Sequence, residues 1–151
     1  MQIVNALAYR PVGIFKGSNM RQELLGKQVL SAELIAHGIK LEELCHAIGN
    51  SASSATTAAI GLFFGPTICG YRAFVEATHL DLDRALLGGH EIQWRRPFKA
   101  EERLTATMVM KEHTTKNGME FGVFETEFRT PAGEVVQTQR TTFIERAPQP
   151  K

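Results

Sequence analysis

Residues 90–110 have the sequence HEIQWRRPFKAEERLTATMVM, which predicts two β-strands joined by a turn that contains Pro97. In the first strand, Ile92 and Trp94 fall on one face and polar residues alternate on the other. The second strand repeats this alternation, and its apolar positions are Leu104, Ala106, Met108 and Met110. Strands of this kind belong to an antiparallel sheet that packs one face against a core.

Two more strands are expected after this pair. The turn residues at 116–118 (KNG) introduce MEFGVFETEFR at 119–129, where the apolar positions slip by one residue beside Gly122. This slip predicts a β-bulge in that strand. A second turn, TPAG at 130–133, leads into EVVQTQRTTFIER at 134–146, whose Val, Thr and Ile content suits a strand.

Two helices are expected before the sheet. Residues 38–49 (GIKLEELCHAIG) predict a helix of about three turns that stops at Gly49. Its apolar face consists of Leu41, Leu44, Cys45 and Ile48. Residues 61–81 predict a longer helix with Pro66 in its first turn, and LDRALL at 82–87 predicts a short helical turn.

This order of elements predicts a single α+β domain in which a curved antiparallel sheet of four strands wraps one central helix. A chain of 151 residues fits one such domain. The expected divisions are an N-terminal arm at 1–24, the domain at 25–146 and a loose tail at 147–151.

The composition argues against several classes of partner. The net charge of +1 gives no general field for nucleic acid or an anionic membrane, and no apolar segment is long enough to span a bilayer. The five histidines lack metal-ligand spacing, so we expect neither a metal nor a cofactor. Cys45 and Cys69 are expected to be reduced and buried. Because the sequence shows no signal-peptide pattern, we expect a soluble, cytoplasmic protein.

The chain resembles the MaoC-like dehydratases, and most closely the N-terminal-type or accessory subunits of (R)-hydroxyacyl-thioester dehydratases. Five stretches carry this resemblance: LLGK at 24–27, AIGN at 47–50, GPTICGYRAF at 65–74, residues 90–110 and the closing hairpin at 126–146. The resemblance covers residues 25–146. It implies a hotdog fold, in which the curved sheet wraps a long central helix.

The resemblance also implies where an acid and a base would lie. Active members carry a Gly-Asp after the first helix and a His five residues beyond the Asp; together these hold the water that adds across an enoyl thioester. In this chain the Gly-Asp falls on Gly49-Asn50 and the His falls on Ala55. Both catalytic groups are therefore absent, which implies an accessory subunit whose catalytic hotdog partner supplies them.

The remaining candidates follow from the same comparison. For catalysis they are Asn50 and His46, although His46 equally suits the C-terminal end of a helix. Amides at the 65–67 entry to the central helix, from Thr67 or Ile68, could meet a thioester oxygen. The full set of substrate-binding candidates is Ser51, Gly65, Thr67, Ile68 and Tyr71. Arg95 and Arg96 are either a solvated strand end or a contact for the phosphates of CoA or an acyl carrier protein.

Three functions remain open at this point. The first is the accessory subunit of an (R)-specific enoyl-thioester hydratase or 3-hydroxyacyl-thioester dehydratase. The second is an enzyme acting alone, either a divergent hydratase or an acyl-CoA thioesterase that uses Glu76. The third is a non-enzymatic protein that binds acyl or aromatic ligands. The first two take a CoA or carrier-protein thioester as substrate, and all three predict a homo- or hetero-oligomer of hotdog subunits.

Overall fold

The computed structural model describes residues 20–50 and 61–147. In these ranges the chain forms two α-helices, two 3₁₀ turns and one five-stranded sheet. The elements are the turn Gln22–Leu24, β1 (Gln28–Ala36), α1 (Gly38–Ala47), the turn Gly65–Thr67, α2 (Tyr71–Thr78), β2 (Ala85–Trp94), β3 (Glu102–Lys116), β4 (Met119–Arg129) and β5 (Val135–Arg146). The strand order is β1-β3-β4-β5-β2 with every pair antiparallel, so β1 and β2 form the two edges. The α+β prediction is confirmed.

The sheet buries one face, as its alternation requires. The alternate residues Leu104, Ala106, Met108 and Met110 of β3 are all buried. The core has two parts. In the first, residues of α1 pack with Phe98 and Phe128; in the second, residues of α2 pack with Phe124. Ile68, which lies between the Gly65–Thr67 turn and α2, packs against both parts.

Strand β1 was not predicted, so the sheet has five strands instead of the expected four. Its sequence, QVLSAELIA, contains Gln, Ala and Glu, which are poor strand formers, and its burial does not alternate cleanly. Pairing with β3 holds these residues in the sheet. Tertiary pairing therefore overrides a weak local preference.

The second helix begins later and is shorter than predicted. Pro66 lies in the separate turn Gly65–Thr67, and α2 has only eight residues against the ten of α1. Gly70 separates the two with φ 84° and ψ 149°, a conformation that L-residues avoid. The predicted helical turn at 82–87 was also wrong in its second half, because β2 begins at Ala85 and pairs with β5.

The bulge predicted in β4 belongs to the neighbouring strand. Pairing shifts from Met110 opposite Phe124 to Glu112 opposite Val123, so β3 carries the extra residue, Lys111. Gly122 has another reason to be glycine: a Cβ there would lie 2.2 Å from the Met20 sulfur. Met20 is buried, so packing against the sheet begins inside the predicted arm at 1–24.

Helix α1 ends where the sequence predicts. Gly49 has φ 82° and its N–H donates to the His46 carbonyl at 3.0 Å, while the Asn50 N–H donates to the Cys45 carbonyl at 2.8 Å. These two bonds form the Schellman motif, which satisfies the last helical carbonyls. Cys45 is buried as expected, but Ile48 is exposed because it lies past the end of the helix.

A charged cluster is buried at the end of the sheet near the β3–β4 turn. Arg84 Nη2 donates to Glu145 Oε1 at 2.7 Å, and Glu120 lies directly opposite Glu145 across the β4–β5 pair. Glu120 Oε2 accepts the Met20 N–H at 2.9 Å and lies 3.9 Å from His113 Nε2. Burial raises the pKa of Glu145 to about 7, against the opposing pull of Arg84.

Glu145→Gln should flatten the pH dependence of stability between about pH 4.5 and 7. The folded-state pKa of Glu145 lies above its unfolded value, so the folded protein holds more protons in this window and stability falls as pH rises. The shift corresponds to about 3 kcal/mol, which the glutamine variant does not lose. Urea unfolding across this range measures the difference, with exposed Glu91→Gln as the control. Equal pH dependence of the wild type and Glu145→Gln would contradict the prediction.

Candidate functional site

The candidate site is built around the turn Gly65–Thr67, which packs against strands β4 and β5. The Gly65 N–H donates to Gln139 Oε1 at 2.7 Å. A Cβ on Gly65 would lie 2.3 Å from Thr126 Oγ1, which no side chain tolerates. Residue 65 is therefore glycine because its backbone meets the sheet directly.

The side chain of Gln139 binds this segment at two points. Its Nε2 donates to the Phe63 carbonyl at 2.8 Å and to Gln137 Oε1 at 2.7 Å, while its Oε1 accepts from Gly65. Both glutamines are fully buried. Gln137 Nε2 has no hydrogen-bond partner among the described residues. A buried amide is costly unless it is hydrogen-bonded, so the bonds to Phe63 and Gly65 offset part of the cost of burying Gln139.

These glutamines belong to a row of inward-facing polar side chains, which we call the polar stripe. Its members are His90, Thr126, Gln137, Gln139 and Thr141. His90 Nδ1 lies 3.0 Å from Thr141 Oγ1, and the imidazole edge meets the ring of Phe64 at 5.0 Å between centroids. Burial lowers the pKa of His90, so the imidazole is neutral at neutral pH.

No member of the polar stripe was predicted to have a role in the site. Gln137, Gln139 and Thr141 alternate along β5 as solvent-facing residues would, and His90 stood only at the start of a strand. A polar residue at every second position predicts which residues share a face, but not which face is buried. The residues that pointed to this region were the substrate-binding candidates Gly65, Thr67 and Ile68.

The two amides predicted for a thioester oxygen are bonded inside the turn. The Thr67 N–H donates to the Phe64 carbonyl at 2.9 Å, and the Ile68 N–H donates to the Gly65 carbonyl at 3.3 Å. Helix α2 begins only at Tyr71, four residues after Thr67. The Tyr71 side chain is 61% exposed, so it lies at the surface of this chain.

The catalytic candidates lie at the C-terminal end of α1. His46 is exposed in its last turn, where a cation suits the helix dipole, and Asn50 is exposed just beyond the Schellman motif. Within the described residues, no hydrogen bond joins either side chain to the Gly65–Thr67 turn. Ser51 and Ala55 lie outside the described residues.

Arg96 is engaged by carboxylates of this chain. Its Nη2 lies 2.5 Å from Glu102 Oε1 and its Nε lies 3.0 Å from Glu134 Oε1, so it ties the β2–β3 connection to the β4–β5 turn. These hydrogen bonds raise the pKa of Arg96 further above its ordinary value. A phosphate that bound Arg96 would have to displace the carboxylates of Glu102 and Glu134. Arg95, in contrast, is exposed to solvent.

Three further observations bear on the predicted absences. Among residues 20–50 and 61–147, no group of three or more His, Cys, Asp or Glu could hold a metal ion. Neither described helix is long and apolar enough to cross a membrane. Both cysteines are free, but only Cys45 is buried: Cys69 was expected to be buried and is exposed, since it lies in the short link before α2.

Comparison with known proteins matches residues 50–139 to the family described as FAS1-like, dehydratase domain region. No protein of curated function matches the sequence. The fold is similar to a MaoC-like dehydratase from Rhodospirillum rubrum, with TM-score 0.62, 14% identity, and 89% of this chain and 100% of that chain covered.

Two other solved structures are similar. C-terminally truncated HadBC, a 3R-hydroxyacyl-ACP dehydratase complex from Mycobacterium tuberculosis, gives TM-score 0.58 at 16% identity, covering 80% of this chain and 99% of that one. R-hydratase PhaJ1 from Pseudomonas aeruginosa gives TM-score 0.51 at 18% identity, covering 83% of each chain. Identities this low establish the fold alone, and the predicted hotdog fold is thereby confirmed.

Gly65→Ala should destabilise the protein by about 1–3 kcal/mol, because the new methyl group overlaps Thr126 in a packed region. Gly61→Ala is a matched control, since its Cβ would meet Ile92 at an ordinary 3.6 Å. Urea unfolding of the two variants measures the difference. Equal stability of Gly65→Ala and Gly61→Ala would show that residues 63–65 do not seat on Thr126.

Proposed function

This chain belongs to the FAS1-like dehydratase domain region family, and from that premise we propose that it is the accessory hotdog subunit of an (R)-specific enoyl-thioester hydratase or 3-hydroxyacyl-thioester dehydratase. A second hotdog subunit supplies the Asp and His, while this chain shapes the acyl-binding tunnel. One observation carries the proposal: Asn50 and Ala55 stand where active members resembling this chain have the acid and base.

The chemistry explains why this replacement matters. In hydration the water oxygen bonds to C3 of the enoyl thioester, one proton leaves the water and another reaches C2. A carboxylate and an imidazole can exchange those protons, whereas the amide of Asn50 and the methyl group of Ala55 cannot. A subunit with these residues needs proton-transfer groups from elsewhere.

The free edge of β2 supports a partner subunit. This strand pairs only with β5 within the described residues, so its outer N–H and C=O groups face outward. Leu82, Leu86 and Leu87, in and just before the strand, are all more than half exposed. An apolar edge strand of this kind promotes association unless another chain covers it. We place the partner along β2.

The substrate in this proposal is an acyl-CoA or acyl-carrier-protein thioester. Arg95 is an exposed cation beside the sheet end and suits the phosphates that both carriers share. Arg96 holds its own carboxylates and so fixes the backbone that carries Arg95.

A second candidate is a hydratase that acts alone. His90 favours it, because a neutral imidazole held by Thr141 is the kind of group that accepts a proton from water. In this version His90 replaces the missing histidine, and His90→Gln abolishes activity.

The chain purified alone should not hydrate crotonyl-CoA, and should do so once it is co-expressed with a catalytic hotdog subunit that carries the Asp and His. Loss of the enoyl-thioester absorbance measures the reaction. A partner whose catalytic Asp is changed to Asn controls for background. Hydration by this chain alone that is lost in His90→Gln would instead establish the second candidate.

Leu86→Arg should weaken assembly with the partner at least about tenfold, because it places a charge in an apolar interface. Ile39→Arg is a matched control on α1, since Ile39 is 66% exposed and Leu86 is 68% exposed. Analytical ultracentrifugation of the co-expressed subunits measures the dissociation constant. Unchanged assembly of Leu86→Arg would remove β2 as the docking edge.

A further inference from the structure

Two carboxyl groups face each other inside the end of the sheet near the β3–β4 turn. Glu120 on β4 lies directly opposite Glu145 on β5, and both residues are buried. Directly opposed side chains of an antiparallel pair have Cβ atoms about 5 Å apart, and like charges at this separation destabilise the pair. Two ionised carboxylates are therefore unfavourable at these positions.

One oxygen of this pair has no hydrogen-bond donor. Glu145 Oε1 accepts from Arg84 Nη2 at 2.7 Å, whereas Glu145 Oε2 is buried and has no partner among the described residues. Glu120 Oε2 already accepts the Met20 N–H at 2.9 Å. A buried oxygen without a partner needs a physical reason. A proton on Glu145 Oε2 provides one, because it turns that atom into a donor toward the carboxylate opposite.

The other charged groups around the pair do not balance it. Arg84 is divided between two carboxyl groups, because its Nε also donates to Asp81 Oδ2 at 2.8 Å. On β3, His113 Nε2 lies 3.9 Å from Glu120 Oε2, which is too long for a hydrogen bond. A single proton held between Glu120 and Glu145 reduces the excess negative charge.

The pKa of Glu145 agrees with such a proton. Burial raises this pKa to about 7, and the charge of Glu120 acts in the same direction, against the lowering effect of Arg84. Met20 and Ala85, which also meet the two carboxyl groups, carry no charge. The pair therefore holds its proton in acid and releases it near neutral pH.

The same charged groups join the beginning of β2 to the end of β5. Arg84 directly precedes β2, and its Nη1 donates to the Arg146 carbonyl as well as its Nη2 to Glu145. The Arg84 carbonyl in turn accepts the Arg146 N–H at 3.1 Å. Glu120 holds the backbone of Met20. Repulsion between the two carboxylates therefore acts on Met20 and on the beginning of β2 together.

We propose that Glu120 and Glu145 share one proton in the folded chain, and that loss of this proton favours a local opening of Met20 and residues 84–87. This pH-sensitive switch belongs to the chain itself and does not rest on the proposed function. Its place matters for that function, because Leu86 and Leu87 are exposed at the beginning of β2, along which we place the partner. The docking edge becomes less ordered as pH rises.

The opening constant should depend on pH between about 4.5 and 7. In an opened, hydrated end Glu145 regains its ordinary pKa of 4.5, so the closed form holds one proton more than the open form in this window. The opening constant should therefore rise by up to about tenfold per pH unit and become constant above pH 7. Below pH 4.5 both forms hold the proton, and the constant should again be independent of pH.

Native-state hydrogen exchange of the full chain measures this opening. The exchange rates of the Met20 and Arg146 amides, divided by the intrinsic rate at each pH, give the opening constant. Both constants should rise with pH in the wild type and stay constant in Glu145→Gln, since glutamine has the shape of the protonated carboxyl group and does not titrate. Exposed Glu91→Gln is the control and should keep the rise. Wild-type constants that do not change with pH would overturn the switch.

Amides in the middle of the sheet distinguish local opening from complete unfolding. Ala106 and Phe128 lie opposite each other on the two inner strands β3 and β4. Their opening constants should be smaller than those of Met20 and Arg146, because their exchange requires the whole sheet to unfold. Equal opening constants in the middle and at the end of the sheet, at every pH, would overturn the local opening.

Removing the charge opposite Glu145 tests the sharing of the proton. Glu120→Gln keeps an oxygen for the Met20 N–H but no charge, so the pKa of Glu145 should fall and the rise in opening should move to lower pH. At about pH 6 the infrared C=O band of a protonated carboxyl group should be present in the wild type and absent in Glu145→Gln. A band that persists in Glu145→Gln, or a titration that does not move in Glu120→Gln, would overturn the shared proton.

The co-expressed complex connects the switch to the docking edge. A partner along β2 covers residues 84–87 and should slow exchange of the Arg146 amide at least about tenfold at pH 7. Unchanged exchange in a complex that forms would overturn the connection between this opening and the docking edge. A complex that forms at no pH would instead overturn the proposed function, whereas exchange in the isolated chain decides the switch.

Discussion

The direct contact of the Gly65 backbone with β4 and β5 is the constraint on which the site depends. A main-chain segment that lies on a sheet interior brings an N–H and a C=O that the sheet must satisfy. Gln139 satisfies both, and it must therefore be an amide that points inward. Gln139 is polar because it hydrogen-bonds these backbone groups, and not because it is exposed to solvent.

The elements that could be predicted from the sequence are those with a clear local pattern. Helix α1 and strand β3 were predictable because their apolar spacing is regular. The stop signal at Gly49 and the turn residues at 116–118 and 130–133 marked the ends of α1 and of the strands β3 and β4. Strand β1 was not predictable, because its residues suit a helix as well as a strand and only pairing with β3 selects the strand. Helix α2 was predicted too long because residues 61–81 fit one helical pattern, whereas Gly70 interrupts that pattern and directly precedes the helix.

The sequence named residues at this site but did not reveal their contacts. Gly65 was named as a substrate-binding candidate; in the structure its amide donates to Gln139 and its lack of a side chain accommodates Thr126. Arg96 has the residue type that binds phosphate, but its partners Glu102 and Glu134 are 6 and 38 residues away along the chain. No local pattern reveals a partner at such a distance. Hydrogen bonds and ion pairs between residues that are distant along the chain cannot be predicted from a single sequence.

The two ends of the sheet bury different kinds of polar side chain. The stripe beside Gly65 uses neutral groups throughout, so its hydrogen bonds keep the same donors and acceptors over the neutral pH range. The end near Glu145 uses ionisable groups, with a carboxyl whose pKa lies at about 7 beside Glu120 and His113. Stability can therefore respond to pH through one end while the geometry of the candidate site, set at the other, stays unchanged.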